Sequence, residues 1–198
     1  MKRILLAALL GGIAMFAWKS IAHMALPLGQ SGMQEIPNEP AMLGAMHSTL
    51  GETSGLYFFP ALGSAPGAMA EYDKKLAANP SGLLIYHPPG AKSLTAAQMI
   101  TELVTEMLEA LLAAVLLSRT RISTYWGRVA FVTLLGVLAA MATNLSYWNW
   151  YGFPSDYTAV YIMIEIVGFL CIGLVAARFV YAGEETMPAA GFQTACAR

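Results

Sequence analysis

Three glutamates interrupt the apolar stretch from Gln98 to Ser118. Glu102, Glu106 and Glu109 are spaced by four and then three residues, so on an α-helix their side chains share one face. A charged side chain at the centre of a bilayer costs about 2.5–3.5 kcal/mol on insertion scales. The pattern therefore predicts that these carboxylates have a cationic partner, a proton or water close by.

Other polar residues occur at a matching depth in the remaining apolar stretches. Glu106 lies eight residues after Gln98, and Glu165 lies eight residues after Tyr157. Lys19 is a similar distance from the end of the N-terminal stretch. At about 1.5 Å per residue, Lys19, Glu106 and Glu165 therefore each lie roughly 12 Å below one membrane boundary. The sequence thus predicts a polar layer shared by four helices. Its members are Lys19, His23, Glu102, Glu106, Glu109, Asn144, Tyr161 and Glu165.

Two interpretations of this layer remain open. In the structural one, Lys19 pairs with one carboxylate, and the other polar groups lie near headgroups or in a wet cleft. In the functional one, four glutamates face two candidate cations, Lys19 and His23, so the surplus charge is protonated, hydrated or matched by a bound cation. The second interpretation is typical of a site that handles protons or cations.

Metal and cofactor sites receive less support. A hard cation would suit carboxylate ligands, but the Glu-x-x-His pairs of di-iron bundles are missing. A soft copper site would need a tight Met-x-Met or His-x-His pair, which the chain lacks, and haem would need two histidines in spans. No cofactor is implied by any motif. The copper candidates are His23, Met24, Met33, Met42, Met46 and His47.

Catalytic motifs are also missing from the sequence. Cys171 and Cys196 are isolated, so a thiol-oxidoreductase or a cysteine metal site is not supported. No nucleophile elbow and no phosphate-binding loop occurs. We therefore expect a non-enzymatic protein.

Composition places the protein in a membrane. Of its 198 residues, 57% are hydrophobic and 12% are charged, whereas soluble domains have about 25% charged residues. The net charge of −1 and the lack of basic runs exclude a nucleic-acid partner.

The first 27 residues are predicted to form a transmembrane helix. Lys2 and Arg3 precede an apolar run that is long enough to cross the bilayer. A cleaved signal peptide is the alternative, with a small-x-small site at residues 20–22. Trp18 and Lys19 immediately upstream favour a retained signal anchor.

Residues 28–97, the cap segment, are richer in Gly, Pro and Asn. Turn and capping residues predict helices over residues 38–50 and 67–78. Two similar stretches, at residues 56–59 and 83–86, are predicted to be paired strands. This segment is too polar to cross the membrane and is expected to be a small extracytoplasmic α/β cap.

Residues 98–182 are predicted to hold the second to fourth spans, at 98–118, 129–146 and 157–181. Ser93 is the predicted N-cap of the second span. The aromatic run at 147–153 is expected at the membrane interface. The predicted fold class is a membrane all-α protein, a four-transmembrane-helix bundle with the cap between its first and second spans.

The distribution of basic residues predicts the orientation. Seven lie at one end of the predicted spans and three lie in the cap segment, so both termini, including a tail at 183–198, are expected in the cytoplasm. We expect a bacterial inner-membrane location. The topology resembles that of claudin-like four-span proteins, although the Trp-Gly-Leu-Trp and paired-cysteine pattern of claudins is absent, so the resemblance implies no function.

Three functions are consistent with these observations. The first is a non-enzymatic accessory or assembly subunit of a membrane complex, whose cap docks on a protein partner. The second is a proton- or cation-coupled transporter, or a channel-like homo-oligomer, that uses the carboxylate layer. The third is a membrane enzyme acting at the outer leaflet.

Overall fold

The computed structural model describes residues 1–181. The predicted tail at 183–198 and Cys196 lie outside the described residues. The helices are α1 (Lys2–Ser20), α2 (Glu39–Leu50), α3 (Ala68–Ala78), α4 (Ala96–Ser118), α5 (Tyr125–Ala140), α6 (Ser146–Tyr151) and α7 (Ser155–Phe179), and the strands are β1 (Gly55–Phe59) and β2 (Gly82–Tyr86).

Three helical segments are long and apolar enough to cross a membrane. They are Lys2–Ala25, Tyr125–Tyr151 and Ser155–Phe179. This finding indicates an integral membrane protein. Four such segments were predicted. The helix α4 is 23 residues long, but its three glutamates set it apart from the three apolar segments.

Two π-helical turns extend the helices beyond their regular α-helical parts. The turn Ile21–Ala25 continues α1, and the turn Met141–Leu145 joins α5 to α6. The third span is therefore longer than predicted. The aromatic residues at 147–151 continue it as a helix, and Gly152, with a φ of 70°, ends it because glycine adopts a left-handed conformation without strain.

The start of α4 differs from the prediction. Thr95, not Ser93, is the N-cap: its side-chain oxygen accepts a hydrogen bond from the Gln98 backbone N–H, at 3.2 Å. In return, the Thr95 backbone N–H donates to the Gln98 side chain, at 2.8 Å. This capping box satisfies two donors at once, which a lone serine two residues earlier does not do.

The long helices pack in the order α4, α1, α7, α5. The helix α1 contacts both α4 and α7, and α5 contacts mainly α7. Alanine and glycine let the backbones approach closely. The buried core between the helices consists of Ala7, Met15, Ala110, Ala113, Ala114, Leu117, Val132, Phe169, Ile172, Ala176 and Val180.

Gly12 gives a test of the α1–α4 contact. A Cβ atom at this position would lie 2.7 Å from the Cα of Met107, so Gly12→Ala must push the two helices apart. We expect a loss of about 1–3 kcal/mol in the free energy of unfolding. Thermal unfolding in detergent would measure it.

Gly44 provides the matched control for this test. It lies in α2, and a Cβ there would meet no atom of the described residues within 4 Å. Gly44→Ala should therefore gain about 0.5–1 kcal/mol, the helix preference of alanine. If Gly12→Ala melts no lower than the wild type, the tight α1–α4 contact is wrong.

The two predicted strands form an antiparallel pair. Leu56 lies opposite Ile85, and Phe58 lies opposite Leu83, so these four apolar side chains share one face of the sheet. On the other face, Tyr86 is buried and donates a hydrogen bond to the Gly51 carbonyl at 2.8 Å.

Arg128 has a structural role that the sequence did not indicate. In the sequence, Arg128 is one of the seven basic residues at one end of the predicted spans; in the structure it is 6% exposed. Its guanidinium donates to the carbonyl oxygens of Ala177, at 3.2 Å, and Ser123, at 2.8 Å. Arg128 thereby ties the start of α5 to the end of α7.

Candidate functional site

The Lys19 ammonium group lies at the meeting point of α1, α4 and α7. Its Nζ atom is 3.6 Å from Glu102 Oε1, 3.6 Å from Glu106 Oε1 and 3.5 Å from Glu165 Oε2. Glu109 follows Glu106 by one helical turn and is partly buried. We call these five residues the Lys19 cluster.

The register between α1 and α7 is fixed beside the cluster. Trp18 donates a hydrogen bond from its indole N–H to the carbonyl oxygen of Ile164, at 2.8 Å. Lys19 and Glu165 directly follow these two residues in the chain, so this bond lies beside the ion pair between their side chains. Sequence reasoning did not include Trp18 in the site. A polar N–H group within an apolar helix needs an acceptor, and this signal marks Trp18 as a residue with a partner.

Burial within the cluster increases from its mouth to its interior. The side chain of Glu102 is 53% exposed, that of Glu165 is 22% exposed, and that of Lys19 is 16% exposed. The side chain of Glu106 is fully buried, at 0%. The exposed end opens into a cleft of about 310 Å³, whose lining includes Lys19, His23 and Glu102.

The buried carboxyl groups lack hydrogen-bond donors from the protein. No described group donates a hydrogen bond to either oxygen of Glu106 or to Oε2 of Glu109. Buried polar atoms in proteins are normally hydrogen-bonded. Their geometry therefore leaves these oxygens open to a proton or to water.

Charge is unbalanced in the cluster. Among residues 1–181, Lys19 is the one cation within ion-pair distance of these carboxylates. Three carboxyl groups lie within 3.6 Å of this single ammonium group, and that of Glu109 follows one helical turn along α4, so three negative charges would be uncompensated if all four were ionised. An uncompensated charge in a low-dielectric interior costs several kcal/mol, by rough estimate. The cluster is therefore suited to hold protons.

His23 lies at the mouth of the site and makes no ion pair within the described residues. Its Nδ1 atom is 2.9 Å from the Lys19 carbonyl oxygen, which only accepts, so this nitrogen carries a hydrogen. The ring packs edge-on against Tyr161, with centroids 5.9 Å apart. The π-helical turn Ile21–Ala25 presents His23 here, and such turns are frequent at functional sites.

Asn144 and Tyr161 were predicted in the same layer, but neither contacts the Lys19 ammonium through a described ion pair or hydrogen bond. Asn144 donates to the Ala140 carbonyl at 3.0 Å, and Tyr161 donates to the Gly29 carbonyl at 3.2 Å. Both line a second cavity, beside the sheet. The structure thus brings Lys19 and the four glutamates together and places these two residues apart from them.

The site is closed on the side away from the cap segment. Below Glu106 and Glu109, α1, α4 and α7 are joined by buried apolar residues. These include Ala7, Ala110, Ala114, Leu117 and Ile172. Access is therefore from the end of the helices that carries the cap segment, which we call the cap end.

Metal binding has no support from the described geometry. Within residues 1–181, no three histidine, cysteine, aspartate or glutamate side chains are placed to hold a metal ion. The Lys19 ammonium group occupies the position between the carboxylates that a metal ion would need.

No protein-family model, curated protein sequence or solved structure matches this chain.

Proposed function

We propose that the chain is a proton-coupled transport protein whose Lys19 cluster binds and releases protons inside the membrane. One observation carries the proposal: Glu106 is fully buried, lies 3.6 Å from a shared ammonium group, and receives no hydrogen bond from the described residues. Ionisable residues inside membranes are costly and mark proton relays.

The proposal includes a finer topology. We place α4 in the membrane as a fourth spanning helix, because it packs along α1 and its glutamates face Lys19. The cap segment is then extracytoplasmic, and both termini are cytoplasmic in a bacterial inner membrane. The basic residues at the end opposite the cap support this orientation.

A proton is favoured over a metal cation as the bound species. Lys19 supplies the positive charge at the centre of the cluster, so another cation would be repelled. A proton instead adds to a carboxyl group and removes one negative charge in place. Loss of that proton restores the attraction between Glu106 and Lys19, which links proton binding to the packing of α4 on α1.

The shape of the site favours a coupled transporter over an open channel. The cleft gives protons a route from the cap end to Glu102 and Lys19. The apolar core closes the opposite side. Transporters keep their ion sites closed to one side at a time, whereas a channel needs a continuous polar path.

Infrared spectroscopy of the protein in liposomes tests the proton-binding site. We expect the absorption band of protonated carboxyl groups to diminish as the pH is raised, and Glu106→Gln to remove part of that band. Glu39→Gln is the control, because Glu39 lies on exposed α2. A band that Glu106→Gln leaves unchanged would overturn the proposal.

An accessory-subunit function has one specific observation in its favour. The helix α2 has no buried residue, although it contains apolar side chains such as Leu43, which is 54% exposed. Exposed apolar patches outside the membrane mark protein–protein contacts.

Extraction from native membranes in mild detergent distinguishes the two functions: a stoichiometric complex with other proteins favours the subunit, and a homogeneous homo-oligomer favours the transporter.

A further inference from the structure

A second cavity, of about 580 Å³, lies between the β-sheet and the cap end of the α5–α7 helices. The sheet contributes Leu56 and Ile85 to one wall. Tyr147, Tyr157 and Tyr161 belong to the facing wall. Small-molecule sites have volumes of about 300–1,000 Å³, so this cavity has room for a ligand.

Within residues 1–181, the apolar side chains of the sheet wall are left largely exposed. Leu56 is 67% exposed and Ile85 is 70% exposed, although they are paired neighbours on one face of the sheet. Apolar side chains facing an open space gain free energy when a ligand covers them. The cavity therefore has an apolar wall that a ligand would cover.

The facing wall presents flat aromatic surfaces. Tyr157 stacks on Tyr161, with ring centroids 4.2 Å apart and an angle of 23° between the rings. Tyr147 stacks on Phe153, at 5.5 Å and 24°. Aromatic rings attract other flat rings in offset-stacked and edge-to-face arrangements. This wall favours a planar ligand over a branched or saturated one.

Polarity further restricts the ligand. None of the described residues that line the cavity is charged, so a charged group would enter without a counter-charge from them. One carboxamide, that of Asn144, lies in the lining, where the π-helical turn Met141–Leu145 presents it. Its Nδ2 already donates one bond, to Ala140, while an amide offers two donors and an acceptor oxygen. Asn144 is thus able to orient one polar edge of a neutral ligand.

We propose that this cavity binds a neutral, lipid-soluble molecule that carries a planar conjugated ring, with the polar edge of the ring at Asn144. Such a molecule reaches the cavity from the bilayer, because the cavity lies beside the ends of two membrane-spanning segments. The inference does not depend on proton transport. The two sites adjoin through Tyr161, whose ring contacts His23.

Thermal unfolding in detergent tests the proposal, with 2-methyl-1,4-naphthoquinone as the probe. A molecule that binds the folded state raises the melting temperature, and at a fixed concentration a tighter ligand raises it more. We expect the probe to raise the melting temperature of the wild type. Decahydronaphthalene, which has a similar size but is not flat, should raise it much less.

Two variants locate the binding site. Leu56→Trp fills the cavity from the exposed sheet face and should weaken the probe's affinity by about tenfold or more. Leu43→Trp adds the same side chain at an exposed position of α2, outside the cavity, and should leave the affinity unchanged. Asn144→Leu should weaken it by about two- to tenfold, the range for one hydrogen bond.

The outcomes separate the alternatives. Equal stabilisation of wild type and Leu56→Trp would mean that the probe only partitions into detergent, and would overturn the proposal. Equal stabilisation by the two probes would show an apolar cavity that does not select planar rings, which overturns the assigned ligand class. Melting temperatures measured without probe show whether each variant is folded.

Discussion

Liposomes that contain the Glu106→Gln variant are expected to take up protons no faster than protein-free liposomes, while wild-type liposomes take them up faster. Glutamine keeps the size of the side chain but cannot bind and release a proton. Among the carboxyl groups within ion-pair distance of Lys19 in the described residues, only Glu106 is fully buried, so the more exposed Glu102 and Glu165 are not expected to replace it. The decay of an imposed pH gradient, followed with an entrapped pH-sensitive dye, measures the effect.

Two further variants give this experiment its controls. Glu102→Gln should slow proton uptake only partly, because Glu102 is 53% exposed at the mouth of the cleft, where water also carries protons. Glu71→Gln should have no effect, since Glu71 pairs with Lys74 on exposed α3. Equal uptake by wild type and Glu106→Gln would contradict the transport proposal. If Glu106→Gln nevertheless removes part of the infrared band, the site binds a proton without transporting it.

Lys19→Met is expected to cause the largest loss of stability. Lys19 is 16% exposed and lies within 3.6 Å of three carboxylates. Its removal leaves buried acidic groups without their counter-charge, and removal of one partner of a buried ion pair costs about 3–5 kcal/mol. The midpoint of thermal unfolding in detergent measures the loss.

A second substitution separates charge from packing. Adding Glu106→Gln to Lys19→Met removes the most buried of the unpaired carboxylates, so part of the lost stability should return. Lys92→Met, in the exposed cap segment, controls for the loss of a lysine and should leave the melting temperature unchanged. A double variant no more stable than Lys19→Met would show that the lysine acts through packing alone.

The sequence predicted those features that depend on neighbouring residues along one element. Hydropathy summed over a helix identified the three membrane-length segments, because transfer from water to lipid adds up along the chain. Helical spacing placed Glu102 and Glu106 on one face, and counting residues from the span ends put Lys19 and Glu165 at one height. The two strands were also predicted from neighbouring residues, because each is a short apolar run that ends at turn residues.

The sequence predicted the wrong N-cap for α4 and too short a third span. Both features also depend on neighbouring residues, but in each case two local signals compete. Serine is a favourable N-cap residue, but Thr95 rather than Ser93 is the N-cap of α4, because Gln98, three residues after Thr95, completes a capping box. The aromatic run at 147–151 has an interfacial composition, yet it continues the helix because no proline or glycine stops it before Gly152.

Tertiary structure alone decided which polar groups meet. Residue counting gives the height of a side chain in a helix but not the direction in which it points, since each helix is free to rotate about its axis until packing fixes it. The Gly12–Met107 contact and the Trp18–Ile164 hydrogen bond set that rotation for α1. As a result, Lys19 turns toward the glutamates, while Asn144 and Tyr161, predicted in the same layer, line a different cavity.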